Sequence, residues 1–338
     1  MRSLSLVQAV ARHEQLPLPL RPATLHPAYV ATDAVRDPLL QPAYLCFEAQ
    51  GECWMHGLHL SEVADTGLRD ASSPYGYGGP VSTSDDPAFL AAAWAAYTGW
   101  MRAHRVVVEY VRFHPVLGNH RHYGGRVADN REVVWVDLQD GDFTAGFAPR
   151  LRHALRKSAA AGLVYREDAF AGQAAEFAAF HRAAMRAMNA DPFYHFDDAY
   201  FEQLAATSLA RLGVCRQRDD DRSPWLAAGL FLEGPGVAEY HLAASCEEGR
   251  RLGASGFALH AAAQLARGRG LRRLYLGGGS DTRADNPLLF FKAAFSGQRL
   301  TYRTGATVFD ASAYEVLQRR FPQQWQAHPE RPIFYRKV

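Results

Sequence analysis

Residues 42–63, PAYLCFEAQGECWMHGLHLSEV, alternate apolar and polar positions on both sides of a Gln-Gly pair, which predicts two strands around a tight turn. SSPYGYGGPV (72–81) loses all period and is punctuated by Pro and Gly, so it reads as a loop. SDDPAFLAAAWAAYTGWMRAHR then opens with Ser/Asp capping signals and a proline in its first turn, the signature of a helix start. VVVEYVRFHPV (106–116) predicts a strand stopped by Pro115, and VVWVDL (133–138) predicts another. The opening thirty residues, rich in Leu, Pro and His, show no clear period.

From about residue 147 a second series begins. FAPRLRHALRKSAAAG is helical up to Gly162 and is followed by the strand LVYRED. QAAEFAAFHRAAMRAMN and DDAYFEQLAATSLARL predict two helices around the aromatic loop DPFYHF (191–196). PWLAAGLFLEGPGVAEYHLAAS (224–245) predicts a hairpin with a Gly-Pro-Gly turn. After it come the helix GASGFALHAAAQLARGRG, the strand segment LRRLYLGGGS, the helix in NPLLFFKAAFSG and the strand RLTYRTGATVFD. The helix SAYEVLQRRFP and the tail RPIFYRKV close the chain.

The order hairpin, loop, helix, strand with a special loop at its end occurs at 42–114 and again at 224–280. The expected fold is therefore α/β of the α+β type, in two domains of mixed, mainly antiparallel sheets flanked by helices. The first is expected over 1–146, with the tail 320–338 as a candidate to complete it, and the second over 147–319.

Composition narrows the function classes. With 48% apolar and 21% charged residues the chain is an ordinary globular one, and 338 residues suit two cores better than one. A net charge of +2 demands no polyanion, so a nucleic-acid partner would need a local basic patch. Cys46, Cys53, Cys215 and Cys246 contain no C-x-x-C pair, and the histidines form only the loose pairs His56/His59 and His120/His122. No metal site and no disulfide framework is expected, in keeping with a reducing compartment. MRSLSLVQAVARHEQ is too short and too broken, by Ser5 and Gln8, for a signal peptide. The longest apolar run (89–101) falls short of the roughly 20 residues of a membrane helix, so a cytoplasmic protein without an anchor is expected.

Candidate chemistry gathers at few places. Arginine is the default cation, and the chain has three lysines: Lys157 among other cations, Lys337 in the tail, and Lys292 among Phe290, Phe291, Ala293 and Phe295. A lysine so flanked can hold an oxyanion or titrate as a base, or it can lay its stem on the core with its head in water. In EEGRRLGASGF, Arg250, Gly253 and Gly256 sit at the start of a helix, where freed amides and the helix dipole suit phosphate. Arg152, Arg156 and Lys157, followed by Arg166, make a basic strip, either a solvated face or a seat for phosphates. ARGRGLRR (266–273) carries the same two readings. On the strand 106–116, Tyr110, Arg112 and His114 share one face, so Arg112 and His114 are expected together at its end. The Rossmann, P-loop and G-x-S-x-G patterns are absent.

The ordered motifs SPYGYGGP, VRFHPVLGN, RLRHALRKSAAAGLVY, DPFYHFDDAYFEQL, YHLAAS, LYLGGGS and LLFFKAAFSG resemble the Fem family of non-ribosomal peptidyltransferases over roughly residues 40–300. The glycine loop around Arg250 also resembles the pyrophosphate loop of GNAT acyltransferases, with Ser255 at the last small-residue position. The Fem resemblance implies two tandem GNAT-like domains and transfer of an amino acid from aminoacyl-tRNA to an amine. No cofactor follows from it beyond aminoacyl-tRNA as co-substrate, and acetyl-CoA or another acyl-CoA is the donor in the GNAT alternative. It implies that Lys292 stabilises the transition state; separately, Tyr75, Tyr77, Arg112, His114, Tyr194, His195 and Tyr240 are expected to bind the substrate. The expected acceptor is a small peptide, nucleotide-linked or metabolite amine. Peptidoglycan-directed members carry a basic residue near the aromatic loop. Here DPFYHFDD offers His195 and acidic neighbours, which points to a smaller peptide, an amino sugar or a secondary metabolite.

Overall fold

The computed structural model describes residues 1–139, 141–220, 222–283 and 285–336; Lys337 lies outside them. The chain divides into two compact units, Met1–Asn130 with Thr301–Val338, and Arg131–Leu300.

In the first unit, strands Leu40–Ala49 and Glu52–Val63 form the expected hairpin, with Ala49 opposite Glu52. Its two-residue turn, Gln50 and Gly51, has φ of 55° and 83°, the left-handed pair that matches strand twist. Leu68–Ser72 pairs antiparallel with Glu52–Val63, and Val106–Arg112 then runs parallel to Leu68–Ser72. A parallel neighbour needs a crossover, and the helix Pro87–Ala103 supplies it. Asp86 caps that helix by accepting from the amides of Ala88 and Phe89. Strand Arg299–Val308 pairs antiparallel with Val106–Arg112.

Period-two alternation decides which side chains meet which helices. Leu45 and Trp54 face Phe89, Ala93, Tyr97 and Met101 of the crossover helix. Their neighbours Tyr44, Cys46, Cys53 and Met55 face the other way, against Ala9 and Val30. Ala9 and Val30 lie on helices Leu6–Glu14 and Pro27–Ala34, which the aperiodic opening did not reveal. Ser5 and Gln8, read as breaks in an apolar stretch, form the capping box of the first of these helices. The tail packs into the same unit, with Ile333 and Phe334 buried.

The second unit repeats this order. Val164–Ala169, Ala210–Arg216, Ala227–Gly234 and Val237–Ser245 are successively antiparallel, and Arg273–Gly277 returns parallel to the last after helix Ala254–Gly268. Residues of strand Arg126–Asp137 complete this sheet, with Trp135 opposite Tyr275. That pairing draws 131–146 into the second unit, while 301–319 joins the first through Arg299–Val308. The division thus falls earlier at both places than the sequence reading set it. The helix read over DDAYFEQLAATSLARL is also shorter, Asp198–Ala206. Ser208 at φ 57° ends it, and Ala210–Arg216 becomes a strand paired on both edges. The fold class is as expected: mixed α/β, with mostly antiparallel strands flanked by helices.

Candidate active site

In the second unit, strand Arg273–Gly277 ends in Gly277, Gly278 and Gly279. A Cβ on Gly278 would stand 2.8 Å from the Glu132 carbonyl oxygen, and one on Gly279 would stand 2.5 Å from the Asn286 side chain. Only glycine fits there. Asn286 then starts helix Pro287–Ala293: its Oδ1 accepts from the amides of Leu288 (3.0 Å) and Leu289 (3.2 Å). Its Nδ2 donates back to Ser280 Oγ (2.9 Å) and Asp281 Oδ1 (3.0 Å). Arg131 Nη1 donates to the Gly279 carbonyl at 3.0 Å.

On this short helix Lys292 turns inward, 8% exposed, and its Nζ donates to the Gly278 carbonyl oxygen at 2.9 Å. The snorkelling alternative is therefore not the arrangement found. Desolvation alone lowers the ammonium pKa from 10.5 to about 7, because burial penalises the charged form. Phe291 and Phe295 stand edge to face behind it, centroids 5.6 Å apart. Phe290 points outward instead, 61% exposed, with the Arg150 guanidinium 3.7 Å above its ring.

Helix Pro149–Ala160 carries Arg152, Arg156 and Lys157, all exposed. Among the described residues none of the three has a carboxylate within 4.0 Å. Arg166 differs, being paired with Asp219 at 2.5 Å. The inner side of the same helix meets the Gly253 loop. Gly253, at φ 72°, begins helix Ala254–Gly268, and Ser158 Oγ lies 2.9 Å from where its Cβ would be. Ser158 Oγ donates to the Leu252 carbonyl at 2.8 Å, and Gly256 has Leu151 and Phe291 as its nearest neighbours. Exposed Arg250 folds back to donate to the Ser245 carbonyl at 2.9 Å.

Tyr240 stacks on Phe231 at 5.4 Å and packs against the core cluster that also takes in Phe291. Burial pushes its hydroxyl pKa well up. Tyr194 packs on Ala184, Met185 and Ala244, and His195 Nε2 meets the Ala190 carbonyl at 3.3 Å.

In the first unit the glycine loop docks on the end of strand Val106–Arg112. The Gly78 amide donates to the Arg112 carbonyl at 2.7 Å, and the Arg112 amide donates to Ser73 Oγ at 3.0 Å. Tyr77 meets His114 edge to face, centroids 5.5 Å apart, and Tyr302 at 5.7 Å. Tyr75 turns instead toward helix Pro27–Ala34, its amide donating to Asp33 Oδ2 at 2.7 Å and its ring under the Arg36 guanidinium. The Arg112 guanidinium lies over Tyr110, 5.1 Å from its centroid, and His114 is buried. Asn119, without exposure, holds the loop from below: Nδ2 donates to the carbonyls of Gly78 (2.9 Å) and Pro80 (3.1 Å). Its Oδ1 accepts from the His114 amide at 2.9 Å.

Asn119, Asn286, Asp33 and Arg131 escaped the sequence reading. Asn286 alone carried a local signal, an Asn before a proline at a helix start. The others act across distances of chain that no local pattern spans.

No family model matches the chain, and no curated protein matches it in sequence. Solved structures do match. A FemX crystal structure superposes with a TM-score of 0.70 at 13% identity, covering 94% of this chain and 100% of that one. The C-terminal domain of a protein described as a lysylphosphatidylglycerol synthetase, from Agrobacterium fabrum, gives 0.60 at 16%, covering 95% and 97%. L-PGS from Bacillus licheniformis gives 0.54 at 12%, covering 82% and 88%. These likenesses show that the chain shares its fold with the FemX structure and with the lysylphosphatidylglycerol synthetase domain.

Proposed function

We propose that the protein is a Fem-like N-acyltransferase that moves an amino acid from aminoacyl-tRNA onto an amino group of a peptide, cell-wall precursor or natural-product acceptor. The observation that carries the reading is the buried Lys292 beside the strand-end glycines. Attack of an amine on an aminoacyl ester builds a tetrahedral oxyanion, and a cation fixed where water is scarce stabilises it far more than it would in water. An ammonium has three donors. One is used on the Gly278 carbonyl, which aims the group and leaves others for the oxyanion. With a pKa of about 7, the neutral lysine can also take the proton that the attacking amine sheds.

Two features support tRNA as donor. Arg152, Arg156 and Lys157 stand exposed and, among the described residues, have no carboxylate within 4.0 Å, which suits a series of phosphates. At Gly253, Ser158 Oγ stands 2.9 Å from where a Cβ would be, close to the backbone that a CoA pyrophosphate would approach. The acyl-CoA reading rests on the left-handed Gly253 at the helix start and remains the alternative. Within the second unit the candidate acceptor contacts are Tyr240, Tyr194 and His195. Among the described residues no helix is long and apolar enough to cross a membrane. The reading implies a cytoplasmic reaction, since charged tRNA is found there. Two measurements test it: ribonuclease sensitivity of amino-acid transfer from a charged tRNA pool to a panel of amine acceptors, and calorimetric titration with acetyl-CoA. Ribonuclease-sensitive transfer without acetyl-CoA binding is the expected result. Ribonuclease-resistant transfer with micromolar acetyl-CoA binding would replace the tRNA reading by the CoA one.

A further inference from the structure

The hairpin of the first unit brings together two cysteines that stand seven positions apart in sequence. Cys46 lies opposite Met55 and Glu48 opposite Cys53, so the cysteines are diagonal neighbours on one face of the sheet. Neither side chain is exposed, and their sulfurs are 3.8 Å apart. Zinc–thiolate bonds of about 2.3 Å at a tetrahedral angle hold two sulfurs at about this same separation. A disulfide would need the chains to move, because diagonal Cα atoms lie about 7–8 Å apart and a disulfide spans less. Glu48 supplies a third ligand, with all three candidate atoms within 4.8 Å of one another.

We propose that Cys46, Cys53 and Glu48 form a binding site for a thiophilic divalent cation of the zinc class, with water in the fourth position. Glu48 is held for this role from outside. Its Oε1 accepts from Arg12 Nε at 2.7 Å and its Oε2 from Arg2, while each carboxylate oxygen keeps a further lone pair. Two thiolates and one carboxylate bring three negative charges against these two guanidinium groups, so the deprotonated site remains anionic and suited to a cation. Binding releases the thiol protons. The Glu48 side chain is 35% exposed, which provides the way in. Once bound, the ion would join the hairpin to helix Leu6–Glu14 through Arg12 and to strand Arg2–Ser3 through Arg2. The site shows no C-x-x-C pattern because the hairpin register, and not a short loop, brings the sulfurs together.

The test uses the full chain, reduced and stripped of metal. Zn²⁺ is titrated against a chromophoric chelator, and Co²⁺ is added separately, since its thiolate charge-transfer absorption reports sulfur ligation. One equivalent of zinc per chain and a clear cobalt band are expected. Cys46→Ser and Cys53→Ser should each abolish strong binding, and Cys215→Ser and Cys246→Ser should leave it unchanged. Glu48→Gln should keep the band and weaken zinc by about tenfold or more. Circular dichroism checks each fold. If the cysteine variants do not fold, zinc protection of Cys46 and Cys53 from alkylation in the unmodified chain, read by peptide mass, decides instead. Absence of both the band and chelator-resistant zinc would overturn the proposal. So would a band that persists in a folded Cys46→Ser/Cys53→Ser chain, or alkylation that zinc does not slow.

Discussion

Asp70 and Arg336, 266 positions apart in sequence, form a two-pronged pair: Arg336 Nε donates to Asp70 Oδ2 at 3.0 Å and its Nη2 to Oδ1. The Tyr335 hydroxyl donates to the same carboxylate at 3.0 Å. Asp70 has no exposure, so these tail residues neutralise a charge that water cannot reach. Removing one partner of such a pair leaves an uncompensated buried ion and costs about 3–5 kcal/mol. Arg336→Ala is expected to lower the unfolding free energy by about 3 kcal/mol in urea titrations. Adding Asp70→Asn should recover part of that loss, and simple additivity of the two changes would refute the coupling.

Lys292 makes stability and rate depend on pH in ways that can be separated. The unfolded lysine titrates near 10.5 and the folded one at about 7, so between these values the unfolded chain binds more protons. Its contribution to stability therefore rises with pH from 7 to 10.5, and the cost of the buried charge is full below 7. Lys292→Met is expected to stabilise the fold by roughly 2 kcal/mol at pH 6 and by less at pH 9, measured by urea unfolding at both. The same variant should lose about tenfold or more in turnover. A wild-type rate that falls as pH rises through 7 would fit the oxyanion role, and one that climbs would fit the base.

The basic helix gives a signed prediction for the donor. Arg152→Glu with Arg156→Glu should weaken aminoacyl-tRNA at least about tenfold and reduce the salt slope of its binding by about 2. Filter binding across a salt series measures both. An unchanged slope would return these residues to the solvated face.

Asn119 satisfies three backbone groups, so its loss should cost more than one ordinary hydrogen bond. Asn119→Ala leaves two carbonyls and an amide without their partner and should destabilise by about 3 kcal/mol. Hydrogen exchange should quicken at the His114 amide and through the loop 73–80, while the Lys292 helix keeps its protection. Equal loss of protection in both places would show a global effect instead.

What could be read in advance was local. The turn at Gln50 and Gly51, the proline-started helix at Pro87, and the strand at Val106 each announce themselves within a few residues. So did Lys292, through its unusual company. Helix Leu6–Glu14 stayed hidden because it buries Ala9 and His13, while its strongly apolar Leu6 and Val7 remain exposed. The basic residues Arg152, Arg156 and Lys157 lie on an exposed helix face, while the contacts of Arg112 with Tyr110 and of His114 with Tyr77 depend on side-chain packing that strand alternation alone does not give. Side chains such as Asn119, Asp70 and Arg336 take their meaning from partners far along the chain, and composition carries no trace of that.

The four hydrogen bonds of the Asn286 amide have a mechanical consequence. Two hold the start of the lysine helix and two hold Ser280 and Asp281 just after the glycines, so Asn286 ties these two places together. Lys292 and the Gly278 carbonyl it meets then travel together, and the ammonium has no local search to make when a substrate arrives. The ordering of this corner is completed during folding. The activation entropy of each turnover accordingly has little to gain or lose there, and a temperature series of the rate should be governed by how substrates dock.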